Sequence, residues 1–312
     1  MEIFPHKTSI DFVGISWIAY LLTGLMFVAS TISLATQGMH MGIDFAGGTL
    51  IQLRFQAPPA LQDIRTTMVG LGLGDVVIQE FGTREEIILR VQKQTGDDGK
   101  PGELAAKIIK ALEPLVGKDP IELRRVEFVG PQVGAELEQK GFLAMLYSIG
   151  AILIYVAWRF ELRFAYGAVI ALAHDAYCSM GLLSILQKEF TLTIVAAVLT
   201  IVGYSINDTI VIYDRIREEM RRNKKSSLAE VINIAINRTL SRTVITSGTV
   251  VMVLLALLLF GGEVIHDFAL VLLFGIIVGT YSSIFVASPI VLFFEKKRSD
   301  HTKTAPKEEV AS

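Results

Sequence analysis

The sequence predicts an α-helical membrane protein, a six-transmembrane-helix bundle with a small α+β domain inserted after the first helix. Three observations predict it. Of 312 residues, 52% are hydrophobic and only 19% are charged, and the mean hydropathy is +0.51, too apolar for an ordinary soluble domain. Six apolar runs reach roughly the ~20 residues that a helix needs to cross a bilayer. Between the first and second runs, residues 37–140 are more polar, and their apolar positions alternate or recur at helical spacing.

The first run, residues 12–36, exceeds the ~7–15 residues of a signal-peptide core. Ser33-Leu34-Ala35 would pass as a cleavage site, but the run is expected to stay as an anchor, so residues 1–36 form the N-terminus and first span. In the inserted domain, Ile51, Leu53 and Phe55 alternate with Gln52 and Arg54, the pattern of a half-buried strand. After Pro58-Pro59, Leu61, Ile64, Met68 and Leu71 recur as on a helix. Strands follow at 76–81 and 86–91, with residues 82–85 as a hairpin loop. A second helix carries Leu104, Ile108, Leu112 and Leu115, and a last strand at 121–129 slips phase at Arg124-Arg125, which predicts a bulge. The order β-α-β-β-α-β is that of a ferredoxin-like split βαβ domain. Residues 94–102 read as a mobile loop tip.

Residues 141–158, 164–186, 190–213, 243–260 and 268–294 supply five further spans, so 141–294 forms the rest of the bundle. The polar tail at 295–312 is expected to be disordered. Basic residues in short loops set the orientation. They concentrate in the loop 214–242, at Arg159 and Arg163, and at Lys296, Lys297 and Arg298, which puts both termini in the cytoplasm and 37–140 outside.

Several functions are excluded at this level. The net charge of −2 gives no case for nucleic-acid binding. A single cysteine, Cys178, cannot form an internal disulfide, and five histidines without ligand spacing leave metal chemistry unsupported. There is no Walker A motif, and Gly70-Leu71-Gly72-Leu73-Gly74 is a helix end turning into a strand rather than a dinucleotide fingerprint.

Ionisable groups within the spans are the functional candidates, because hydrocarbon offers them no water. Counting outward from Lys224-Lys225, Asp208 and Arg242 are almost equally far from the turn between spans four and five. In an antiparallel helix pair rising ~1.5 Å per residue they would reach a similar depth, which nominates a charge pair, unless residues 226–239 form a separate interfacial helix. Three readings stay open for Asp208: a fixed salt bridge or cap at the membrane surface, a protonatable group assisted by Asn207 and Arg242, or a cation site. His174 and Asp175, near the middle of the third span, fit either interhelical hydrogen bonding or a proton path. Ser205, Thr209, Thr246, Ser247 and Thr249 read as interhelical hydrogen-bonding groups, and Gly275 with Gly279 as a small-residue packing face. The basic loop reads as a topology determinant and lipid-headgroup contact, with a ribosome or protein partner as the alternative.

Four stretches in this order, "GIDFAGGTLIQLRF", "WRFELRFAYGAVIALAHD", "IVGYSINDTIVIYDRIRE" and "NRTLSRTVITSG", resemble the SecD/SecF family of bacterial protein-export subunits, within the resistance-nodulation-division transporter superfamily. The resemblance covers nearly the whole chain. It implies a multi-pass subunit of the bacterial inner membrane that works with SecD and the SecYEG channel, with YajC as a further partner. The implied activity is use of the proton motive force to promote late steps in the export of unfolded preprotein, with the inserted domain in the periplasm and no enzyme chemistry or cofactor. Asp208 in "SINDTIV", beside Asn207, and Arg242 in "LSRT" match the positions that the family is thought to use for proton coupling. Asp44, Gly47 and Gly48 in "IDFAGG" match the family signature, read physically as a tight turn from membrane into strand. The length implies an unfused subunit. The alternatives are a proton-driven exporter of lipids or small molecules, expected to carry about twice as many spans, and a noncatalytic assembly scaffold.

Overall fold

The computed structural model describes residues 9–73, 76–91, 100–117 and 119–294. The tail at 295–312 and most of the loop at 94–102 lie outside the described residues. The chain divides into two compact units: His40–Ala144 with Glu189–Leu192, which holds the sheet, and the remainder, which is helical.

After helix α1 (Ser16–Thr36), the sheet unit runs β1 (His40–Met41), α2 (Ile43–Ala46), β2 (Gly48–Arg54), α3 (Leu61–Gly70), β3 (Val76–Phe81), β4 (Thr83–Val91), α4 (Pro101–Val116) and β5 (Glu122–Val129). Strand β2 is central in the antiparallel order β3-β4-β2-β5. Its alternation places Ile51 and Leu53 on one face, where they pack with Ile87 and Leu89 of β4, Ile64 and Met68 of α3, and Ile108 and Leu112 of α4. The side-chain period of two in the strand and the 3.6-residue period of the helices therefore meet in one core. In the β2/β5 ladder, Gln52 opposes Arg125 and Leu53 opposes Leu123, so Arg124 is the extra residue of a bulge at the place where the sequence slips phase. The regular β3/β4 ladder ends at Glu80 opposite Ile87, close to the start expected at residue 86, and β4 reaches back to Thr83, opposite Phe81, only through a register shift. Gly82 at the tip has a left-handed φ of 69°.

The chain continues through α5 (Pro131–Arg159), α6 (Leu162–Ile185), β6 (Glu189–Phe190), α7 (Leu192–Arg222), α8 (Leu228–Phe260) and α9 (Glu263–Ser282), which passes into a π-helical turn at Ser283–Ala287. Among the described residues, six helices are long and apolar enough to cross a membrane, at the six places where the apolar runs occur. Helix α5 starts ten residues before its apolar run, opening on Pro131, whose missing N–H is no loss in a first helical turn. The 226–239 segment is not a separate helix. Ser227 and Glu230 form a capping box, and α8 runs unbroken from there for 33 residues. At ~1.5 Å per residue, the 31 residues of α7 extend about 46 Å, more than the ~30 Å of hydrocarbon. Its charged end therefore lies beyond the apolar layer.

Trp17, Leu21, Ile154, Trp158 and Phe260 are exposed apolar side chains, as expected of helices that face lipid. Inside the helical unit, Phe164 and the fully buried Tyr213 pack edge-to-face at 5.0 Å. Two glycines let α9 approach α7 closely. A Cβ at Gly275 would lie 2.2 Å from Ile201 Cδ1, and one at Gly279 would lie 3.0 Å from Ser205 Cβ. This is the small-residue face read from the sequence.

Candidate functional site

Ser205, Asp208 and Thr209 are spaced i, i+3 and i+4 on α7 and so share one helix face. All three are buried, and Asp208 is only 3% exposed. Ser247 Oγ on α8 donates to Asp208 Oδ2 at 3.4 Å and also shares a 2.8 Å hydrogen bond with Thr280 Oγ1 on α9. Thr209 Oγ1 and Ser283 Oγ are 2.8 Å apart. A polar seam thus runs where α7, α8 and α9 meet, and it reaches the π-helical turn. Such turns recur at functional sites.

Arg242 is exposed and makes no direct ion pair with Asp208 within 4 Å, although its charge still acts on Asp208 from α8. The reason for the missing contact is helical phase. Arg242 and Ser247 are five residues apart, about 140° around α8 at ~100° per residue, and Ser247 is the one that faces Asp208. Asn207, ~100° from Asp208 around α7, is likewise exposed and outside the seam.

His174 and Asp175 on α6 are brought into a second polar centre. Asp175 has no exposed surface. Its Oδ2 accepts from Ser205 Oγ at 2.6 Å and Ser282 Oγ at 2.8 Å, and its Oδ1 lies 3.0 Å from His174 Nδ1. His174 Nε2 is 3.5 Å from Cys178 Sγ. One carboxylate therefore ties α6, α7 and α9 together, and Ser205 links this centre to the face that carries Asp208. Thr246 and Thr249, expected to bond between helices, instead donate to carbonyls of α8 itself. Among the described residues, no group of three or more His, Cys, Asp or Glu comes together in a metal-binding arrangement.

Other residues escaped sequence reasoning. Thr280, Ser282 and Ser283 form a small polar run inside an apolar span, a signal that could have marked them. Buried Glu219 pairs with Arg215 at 3.1 Å and with Arg238, and accepts from Asn223 Nδ2 at 2.9 Å. It joins the two sides of the basic loop. Arg159 donates to both carboxylate oxygens of Asp214 at 3.0 Å, so these arginines are partly neutralised within the chain. In the sheet unit, Gly47 and Gly48 make the expected turn into β2 with φ of 70° and 121°. Asp44 does something the sequence did not suggest: its Oδ2 accepts the backbone N–H of Leu192, the first residue of α7, at 2.9 Å.

The family described as "Protein export membrane protein SecD/SecF, C-terminal" matches residues 108–297, more than half of the chain. The chain belongs to the SecD/SecF family. The family's GG motif matches residues 32–59, which hold Asp44, Gly47 and Gly48. Among SecD/SecF relatives, the chain is 57% identical to the protein translocase subunit SecF of Magnetococcus marinus, over 95% of each chain. It is 47% identical to that of Vibrio alginolyticus, over 93% of this chain and 91% of the other. The crystal structure of SecDF from Thermus thermophilus, a translocon-associated membrane protein, matches with 35% identity and a TM-score of 0.84 over 94% of this chain. This chain spans 40% of that SecDF chain. SecDF in a super-membrane-facing form matches with a TM-score of 0.72 and 34% identity, over 97% of this chain and 41% of that one.

Proposed function

We propose that this chain, a Sec protein-translocase subunit by its family, works with SecD and the SecYEG channel, with YajC as a further partner, to draw unfolded preprotein outward at the expense of the proton motive force. It does so as a coupling subunit rather than as an enzyme. In this reading the chain lies in the bacterial inner membrane with both termini cytoplasmic. The sheet unit is a ferredoxin-like periplasmic domain formed by residues 37–140. The basic distribution described above supports the orientation, and the split β-α-β order supports the fold assignment.

The observation that carries the proton reading is the position of Asp208. It is a buried carboxylate on the seam between three helices, held by one hydroxyl at 3.4 Å. An ionised carboxylate has about four acceptor sites, and among the described residues one hydroxyl meets it while the Arg242 charge acts on it without direct contact. A proton arriving there neutralises a buried charge on that face of α7 and so changes the balance of contacts with α8 and α9. Arg242 and Asn207 are the neighbouring polar groups that a rotation of α8 or α7 would bring toward Asp208. The energy is adequate, since one charge moved through 100 mV corresponds to about 2.3 kcal/mol.

The test is Asp208→Asn in complex with SecD and SecYEG, reconstituted in vesicles, scoring co-purification and gradient-dependent export. Normal assembly with loss of the gradient response is expected. An unchanged gradient response would overturn the proton role.

A further inference from the structure

The signature segment is packed between two other pieces of chain within the sheet unit. On one side are residues 189–192, which lead directly into α7. His40 and Met41 pair in parallel with Glu189 and Phe190, and Gly42 N–H donates to the Phe190 carbonyl at 2.9 Å. Phe45 stacks on Phe190 with ring centroids 5.5 Å apart. Asp44 accepts the Leu192 N–H at 2.9 Å, and Glu189 forms an ion pair with Arg90 of β4. Burial lowers the Arg90 guanidinium only to about 10, so it stays charged at neutral pH and the pair persists. On the other side is the start of α5: a Cβ at Gly134 would meet the Phe45 carbonyl oxygen at 2.8 Å, and one at Gly47 would meet Pro131 Cα at 3.2 Å. A Cβ at Gly42 would lie 2.8 Å from Thr191 Cγ2. The glycines of this segment permit contacts that side chains would block.

The Asp44 bond is the strongest candidate for control. A carboxylate on the first amide of a helix is charge-assisted and favoured by the helix dipole. That helix is α7, and Asp208 lies on it about 24 Å farther along at ~1.5 Å per residue. We propose that the segment from His40 to Gly48 is a clasp on the origin of α7, with Asp44 as a positioning residue that ties the helix carrying Asp208 to the four-stranded sheet and so transmits its movement. This rests on the proton role of Asp208 given above, and it assigns the signature a mechanical task beyond turning the chain.

The experiment compares Asp44→Ala with Asp208→Asn in the reconstituted complex with SecD and SecYEG. It measures assembly, gradient-dependent export and amide hydrogen exchange at residues 189–194. A third variant adds Met41→Cys and Phe190→Cys to Asp44→Ala, so that a disulfide between paired strands replaces the lost tether. Expected for Asp44→Ala are normal assembly, faster exchange at 189–194 and a fall in gradient-dependent export of about tenfold, the scale of a typical coupling between sites. Oxidation of the third variant should restore export, and reduction should remove it again. A normal gradient response in Asp44→Ala despite faster exchange would overturn the clasp, as would failure of the disulfide to restore export. If Asp44→Ala loses the response, regained on oxidation, while Asp208→Asn keeps it, the clasp stands and the proton role of Asp208 falls.

Discussion

Asp175 and Asp208 are buried carboxylates on adjacent membrane helices, joined through the same face of α7, yet they are held in opposite ways. Asp175 has a ring nitrogen at 3.0 Å and hydroxyl donors at 2.6 and 2.8 Å. Among the described residues Asp208 has one hydroxyl at 3.4 Å, close to the limit of a useful hydrogen bond, and the Arg242 charge at a longer reach. Sequence alone marks both as costly charges in apolar runs and leaves a structural and a proton-handling reading open for each. The number of donors separates them: a carboxylate with its acceptors occupied fastens helices, while one met by fewer donors can change its partners when its proton comes or goes.

The comparison breaks most visibly if Asp175 is removed. Asp175→Ala strands Ser205, Ser282 and His174 without their acceptor, and should cost about 3–5 kcal/mol, the scale for removing one member of a buried pair. Thermal unfolding of the purified chain should show a drop of many degrees, whereas Asp208→Asn should unfold close to the parent. A subtler contrast lies in the donors. Ser282→Ala should destabilise by about 1–3 kcal/mol because it removes a short bond to a buried carboxylate, and Ser247→Ala, made in a Thr280→Val background so that its 2.8 Å bond to Thr280 is not counted, by about 1 kcal/mol or less because its bond to Asp208 is long. Equal effects of the two would show that the donor distances do not distinguish the sites.

The smallest effect belongs to a carboxylate at the surface. The backbone N–H of Gly14 and then the side chain of Asn233 hold the Asp11 carboxyl below its usual range. A depressed value in the folded state means that the contribution is present above the unfolded value of ~3.9 and lost as pH falls through the folded one. Stability attributable to Asp11 should therefore be flat at neutral pH and decline slightly only in acid below that value. The difference between the parent and Asp11→Asn across a pH series checks this.

The spans were legible because a run of some ~20 apolar residues has few other uses. The sheet unit was legible where periodicity was strict, as at Ile51 and Leu53, and the slip at Arg124-Arg125 located the bulge. The hairpin was legible to within a few residues: its regular pairing begins at Ile87, and the extension of β4 back to Thr83 passes through a register shift that no periodicity marks. The missing direct contact at Arg242 has a different source. Counting from the turn gives depth along a helix, but facing is set by angle around it, and five residues were enough to put Ser247 in hydrogen-bond contact with Asp208 while Arg242 acts on it only through its charge. The clasp was invisible for a third reason: Asp44 and Leu192 are far apart in sequence, and no local pattern announces their bond.

The central claim is that Asp208, and not Asp175, is the carboxylate whose proton changes. Infrared difference spectra of the chain reconstituted with SecD, taken across a pH step, test it most directly. The account predicts a carboxyl C=O band that appears on acidification, disappears in Asp208→Asn and persists in Asp175→Asn. A band that survives Asp208→Asn and vanishes in Asp175→Asn would contradict it.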